Sequence, residues 1–181
     1  DARAQALLGE MYEAGRGVDE NAALAVKWFR KAAEQGYGDA QNNLGVMYAN
    51  GDGVARSDVE AVTWFRKAAM QGIADSQNNL GLMYAKGNGV AENDALAVKW
   101  FRKAAEQGYG HAQNNLGAMY ANGQGVQRDS VMALLWWNLA RAQGFTEMNE
   151  RRFKFSQQMS DEEIARAQRL ASEWQAMHRE E

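Results

Sequence analysis

Along residues 39–50, DAQNNLGVMYAN, the apolar and polar positions follow a helical period. Ala40, Gln41, Leu44, Met47 and Tyr48 share one arc, and Asp39, Asn42, Val46, Ala49 and Asn50 lie opposite. The pattern predicts an amphipathic helix. Residues 22–36, AALAVKWFRKAAEQG, keep the same period with a wider apolar arc made of Ala22, Ala25, Val26, Trp28, Phe29, Ala32 and Ala33. Lys27, Arg30, Lys31 and Glu34 occupy its outer side. A wide arc predicts contact on two sides, with a partner helix and with the next element of the same kind.

Both patterns recur. YEAGRGV, YANGDGV, YAKGNGV and YANGQGV begin at Tyr12, Tyr48, Tyr84 and Tyr120, a spacing of 36 residues without insertion or deletion. A period of this size marks an array of stacked helical hairpins, none of which buries its apolar face alone. Sixteen of the 18 glycines sit at four repeated positions. A phosphate-binding loop is used once, at a strand-to-helix junction, and no strand precedes these glycines. A calcium loop needs alternating Asp/Asn ligands and a closing Glu, which the string lacks. The glycines therefore read as turns. Gly51 and Gly53 end the first helix in the left-handed conformation, and Val54 drops an apolar contact under the turn. Gly45, inside a helix at a cost of about 1 kcal/mol against alanine, predicts a close crossing. Asp39 is the expected cap of the first helix. Asn21, Ser57, Asn93 and Asp129, four capping residues at one repeat position, start the second helices. Trp28, Trp64, Trp100 and Trp136 lie on the apolar arc beside Phe29, Phe65, Phe101 and Trp137 and read as core.

In the fourth repeat Lys27, Arg30 and Lys31 give way to Leu135, Asn138 and Leu139, which calls for a cover. Ser160 with Glu163 forms a capping box. Ile164, Ala167, Leu170, Ala171, Trp174 and Met177 make one stripe behind it. Phe153 and Phe155 fall in a shorter helix expected at 147–158. The predicted division is four repeats over 1–144 (1–36, 37–72, 73–108 and 109–144) and a helical cap over 145–181. The chain opens at Asp1 and enters the repeat at once, which reads as a trimmed amino end.

Composition adds exclusions. There is no cysteine, so disulfides, thiolate metal sites and a cysteine nucleophile are ruled out. The net charge of −3 gives no basic signal for nucleic acid. No apolar run approaches the ~20 residues of a membrane span. The strings G-x-S-x-G, H-E-x-x-H, S-x-x-K and the Walker motif are missing. His111 and His178 have no metal-like partner at a useful spacing, and no cofactor or metal is expected. The basic ridge of the second helices, interleaved with Glu34 and Glu106, reads as a solvated face.

AQNNLGVMYANGDGV followed by AVTWFRKAAMQG resembles the Sel-1-like repeat, a relative of the tetratricopeptide repeat, in four copies over residues 3–144. The resemblance implies an all-α, right-handed superhelical solenoid with a concave inner face. It also implies a scaffold or adaptor for proteins or peptides in a bacterial envelope complex, a host contact or an effector–immunity pair, periplasmic or secreted rather than cytoplasmic. Protein binding without catalysis, nucleic acid or membrane insertion is the expectation, in a monomer. The alternative is a hydrolase of β-lactam or cell-wall-like substrates, implied by a cysteine-rich branch whose cysteines this chain lacks. Alignment with the tetratricopeptide signature implies that the outward positions of the first helices form the partner-binding face. These are Glu10 in the first repeat; Asp39, Asn42, Val46 and Asn50 in the second; Asp75, Asn78, Leu82 and Lys86 in the third; and His111, Asn114, Ala118 and Asn122 in the fourth. Asn42, Asn78 and Asn114 form an amide row at the repeat spacing, and an amide both donates and accepts.

Overall fold

The computed structural model describes residues 1–145 and 149–178. The described residues form ten α-helices and no strand: α1 (Ala2–Ala14), α2 (Ala22–Glu34), α3 (Gly38–Asn50), α4 (Asp58–Met70), α5 (Ala74–Lys86), α6 (Asp94–Glu106), α7 (Gly110–Asn122), α8 (Ser130–Ala142), α9 (Asn149–Ser156) and α10 (Asp161–Met177). They group into two compact units, Asp1–Glu92 with α1 to α5 and Asn93–Glu181 with α6 to α10.

In the first unit α1 pairs with α2 and α3 with α4, while α2 also packs on α3 and α4 on α5. The second helices start where the sequence places them. Asn21 accepts from Leu24 N at 2.9 Å and Ser57 from Glu60 N at 3.3 Å, as Asn93 and Asp129 do in the second unit. Their ends are Schellman turns. Gly36 N donates to Ala33 O at 3.0 Å and Tyr37 N to Ala32 O at 3.2 Å, with Gly36 at φ 89°. That turn delivers the chain straight into the next helix, which corrects the expectation for Asp39. α3 begins at Gly38 behind Tyr37, without a side-chain cap, and Asp39 lies within the first turn. There its carboxylate faces the positive end of the helix dipole.

The glycine inside α1, α3 and α7 marks a ring crossing. A Cβ on Gly45 would stand 2.7 Å from the Phe65 ring, one on Gly9 2.7 Å from Phe29, and one on Gly117 2.6 Å from Trp137. The second glycine of the turn does more than reverse the chain. A Cβ on Gly53 would run into the Ala22 carbonyl, at the first turn of the preceding second helix. Gly89 meets Asp58, and Gly125 meets Asp94, in the same way.

Side chains repeat these junctions. Gln41 Nε2 donates to Ala33 O at 3.0 Å, Gln77 to Ala69 O at 3.2 Å and Gln113 to Ala105 O at 3.2 Å, satisfying carbonyls near helix ends. Gln71 donates to Gln41 at 2.7 Å and Gln143 to Gln113 at 3.2 Å. Arg30 reaches the Tyr48 hydroxyl at 2.6 Å, Arg66 reaches Tyr84 at 3.0 Å and Arg102 reaches Tyr120 at 2.8 Å. Phe29, Phe65, Phe101 and Trp137 are buried, whereas Trp28 and Trp100 are half-buried beneath lysines. Lys31 Nζ stands 4.5 Å from the Trp28 ring and Lys103 Nζ 5.0 Å from the Trp100 ring.

In the second unit α6 packs on α7, α7 pairs with α8, and α8 carries α9 and α10. Leu135 and Leu139, the leucines that replace ridge lysines, are buried. Val131 and Leu134 of α8 enclose Ala167 of α10, with Met159, Ile164 and Leu170 around them. Trp137 meets Phe155 edge-on at 5.2 Å and Trp136 meets Trp174 at 6.4 Å. The Ser160–Glu163 capping box is formed. The short helix expected at 147–158 is seen as Asn149–Ser156, and positions 147 and 148 lie outside the described residues.

Candidate functional site

Within the first unit, α3 and α5 run beside each other and leave a cleft of about 320 Å³. α3 supplies Val46, Ala49 and Asn50 to it, and α5 supplies Asn79, Leu82, Met83 and Lys86. Phe65 and Asn88 complete the lining. Helical periodicity explains the set, since positions three and four apart fall on one face. The cleft offers an aliphatic floor, amides that donate and accept, and a single charge, that of Lys86. That inventory suits recognition of a chain carrying both apolar side chains and unpaired backbone groups.

Four of the outward residues expected from the sequence, Val46, Asn50, Leu82 and Lys86, meet in this cleft. The amide row is arranged differently. Asn78 is 5% exposed and Asn114 is 9% exposed. Asn42 is half-buried, and its side-chain oxygen accepts from Ser76 Oγ at 2.7 Å and from Asn79 Nδ2 at 3.5 Å, tying α3 to α5. The amide that lines the cleft is Asn79, one position later. With two asparagines in a row, the wheel could favour either, and the tie was broken by residues on the neighbouring helix.

The remaining positions scatter. Asp39 and Asp75 are exposed in the first turns of α3 and α5. Glu10 is half-buried and pairs with Arg16 at 3.6 Å. In the second unit His111 is exposed, with the Tyr109 ring at 5.5 Å and the Phe145 ring at 4.6 Å. Asn122 is exposed and donates to Gln124 at 2.9 Å, and Ala118 is half-buried.

A larger cleft of about 450 Å³ lies on the ridge side of the second unit, between α6 and the Gly125–Val126 turn, and it carries Lys99, Arg102 and Lys103. Two of its three cations are already engaged: Arg102 holds Tyr120 and Lys103 covers Trp100. The smaller cleft in the first unit is therefore the better binding candidate. Among the described residues no group of three or more His, Asp or Glu is placed to hold a metal ion. No described helix is long and apolar enough to cross a membrane.

Paired helices with fixed junction contacts, repeated every 36 residues, define an all-α repeat protein of the solenoid class. The Sel1 repeat matches at residues 2–37, 38–73, 74–109 and 110–145, and the chain belongs to the Sel1 repeat family. Among solved structures it is similar to a protective antigen present in uropathogenic Escherichia coli strains that displays an SLR fold, with 41% identity and a TM-score of 0.83. That match covers 95% of this chain and 38% of the antigen, so the chain spans well under half of that relative. It is also similar to a Sel1 repeat protein from Oxalobacter formigenes, with 33% identity and a TM-score of 0.75 over 92% of this chain and 74% of the other. No curated protein matches the chain significantly. Sel1 repeat proteins are generally scaffolds for protein interaction.

Proposed function

We propose that this chain binds a protein segment or peptide through the outward face of its first helices, with the cleft between α3 and α5 as the principal contact. The observation that carries the reading is the composition of that cleft: Val46, Leu82 and Met83 beside Asn50, Asn79 and Asn88. A polypeptide needs both kinds of contact, and the energy of such a surface concentrates where apolar anchors exclude water. The similarity to an antigen of uropathogenic Escherichia coli supports a setting at the bacterial envelope or in host contact. The hydrolase alternative is not favoured, because the family is one of interaction scaffolds.

The test is affinity for a captured partner. Leu82→Glu places a charge on the cleft floor and is expected to weaken binding by tenfold or more. Lys99→Ala on the ridge of α6 is expected to leave affinity within about twofold. The opposite ranking would move the binding face to the ridge. Saturable turnover of a β-lactam by the purified chain would replace the scaffold reading with an enzymatic one.

A further inference from the structure

The charges beside the cleft differ on its α3 and α5 sides. On the α3 side Asn50 of the lining donates to Asp52 at 3.0 Å, and Glu10 and Glu13 stand one helical turn apart near the end of α1. Partial burial, which strips water from the carboxylate, pushes the Glu13 carboxyl pKa up, and the charges of Glu10 and Asp52 push it further. Glu10 and Glu13 lie three apart on α1 and the charges of Glu10 and Asp52 both act on Glu13, so the three carboxylates share one patch. Their nearby cation, Arg16, makes one exposed pair with Glu10 at 3.6 Å, a kind of contact worth little in water. At the α5 side Lys86 is the only charged residue lining the cleft. It lies in the last turn of α5, where the helix dipole favours a cation. Between the two sides the lining is uncharged.

We infer that this groove selects an extended peptide by charge order, with a basic residue toward Glu10 and Glu13, an aliphatic side chain on Val46 and Leu82, and an acidic residue at Lys86. The inference rests on the peptide-binding reading above and adds the chemistry of the partner. An extended chain is the occupant because its backbone N–H and C=O groups are unpaired and match the side-chain amides, whereas a helix satisfies its own. Two inter-helix spacings of about 10 Å correspond to about six residues at ~3.3 Å each. Complementary charges at separated points fix register and reject wrong partners more than they raise raw affinity.

The experiment selects random dodecamers displayed on phage against the full chain, in parallel with its Lys86→Glu, Glu10→Lys/Glu13→Lys and Leu82→Glu variants. Helicity by circular dichroism confirms that each variant is folded. The expected result is enrichment of peptides carrying a basic and an acidic residue on either side of an aliphatic one. Lys86→Glu should then favour basic residues at both ends, and the double variant acidic residues at both ends. Synthetic copies of the enriched peptides should lose tenfold or more in affinity on the matching charge reversal. Peptides that bind, are lost with Leu82→Glu, and show no charge order or keep it in Lys86→Glu would overturn the charge-order inference and leave the groove reading standing. Peptides insensitive to Leu82→Glu, or no enrichment at all, would sink the groove reading and the inference together.

Discussion

Gly17 and Gly53 hold the same place in neighbouring repeats and the same left-handed backbone, with φ of 75° and 66°. Their surroundings differ. A side chain on Gly53 would strike the backbone of Ala22, while one on Gly17 would meet only the tip of Met11, at 3.6 Å. The same contrast runs through α1 and α3. Met11 is 37% exposed and its counterpart Met47 is 1% exposed. Leu7 is 52% exposed, while Asn43 at the equivalent position is half-buried. One template therefore contains two kinds of requirement. Some residues are dictated by the hairpin itself, and others by the helix that packs on it from the preceding repeat.

Substitutions in pairs separate the two kinds. Gly53→Ala combines left-handed strain with a backbone clash and should cost about 3–5 kcal/mol, whereas Gly17→Ala carries the strain alone, about 1–2 kcal/mol. Urea denaturation of the two variants measures the gap; equal costs would mean that the turn yields and the junction is soft. Met47→Ala should come next, at about 3 kcal/mol, against less than about 1 kcal/mol for Met11→Ala. Gly45→Ala and Gly9→Ala are the internal control. Each would place a methyl 2.7 Å from a phenylalanine ring of its own hairpin, so both should cost about 2 kcal/mol. A wide difference between them would show that the hairpin contact depends on neighbours after all. The smallest effect is expected for Tyr48→Phe, which removes the hydroxyl that receives Arg30 and should cost about 0.5–1.5 kcal/mol.

What was legible in the sequence follows the same division. The caps Asn21, Ser57, Asn93 and Asp129 and the Ser160–Glu163 box could be placed because a cap acts over three residues. Gly45 could be read as a crossing because a glycine inside a helix is costly and recurs at that position. The helix over α10 followed from its own stripe. Asp39 was misplaced because the Schellman turn at Gly36 feeds α3 directly, a geometry set by the helix before it. The Gln41–Gln71 bond, the Arg30–Tyr48 bond and the contact of Gly53 with Ala22 were missed, since their partners lie 30, 18 and 31 residues away. A signal did exist in the recurrence of Gln at two fixed offsets. Of the candidate site, the shared face of Val46, Asn50, Leu82 and Lys86 was legible from the helical period taken together with the tetratricopeptide resemblance. The choice of Asn79 over Asn78 was not, because it depends on how α3 and α5 are set against each other through Asn42 and Ser76.

The junction contacts also bear on how such a chain changes over generations. Each glycine that rests on the preceding helix, each glutamine bridge and each arginine–tyrosine bond joins residues at a fixed offset within a 36-residue clock. Residues 24–50 and 96–122 differ only at Asp39/His111 and Val46/Ala118. Unequal crossing-over between such stretches removes or adds whole periods and returns the same kinds of residue to each junction. Both differences fall at the outward positions of the first helices. Array length is thus a heritable variable that can change in single steps, while the outward positions of the first helices vary without disturbing the seams.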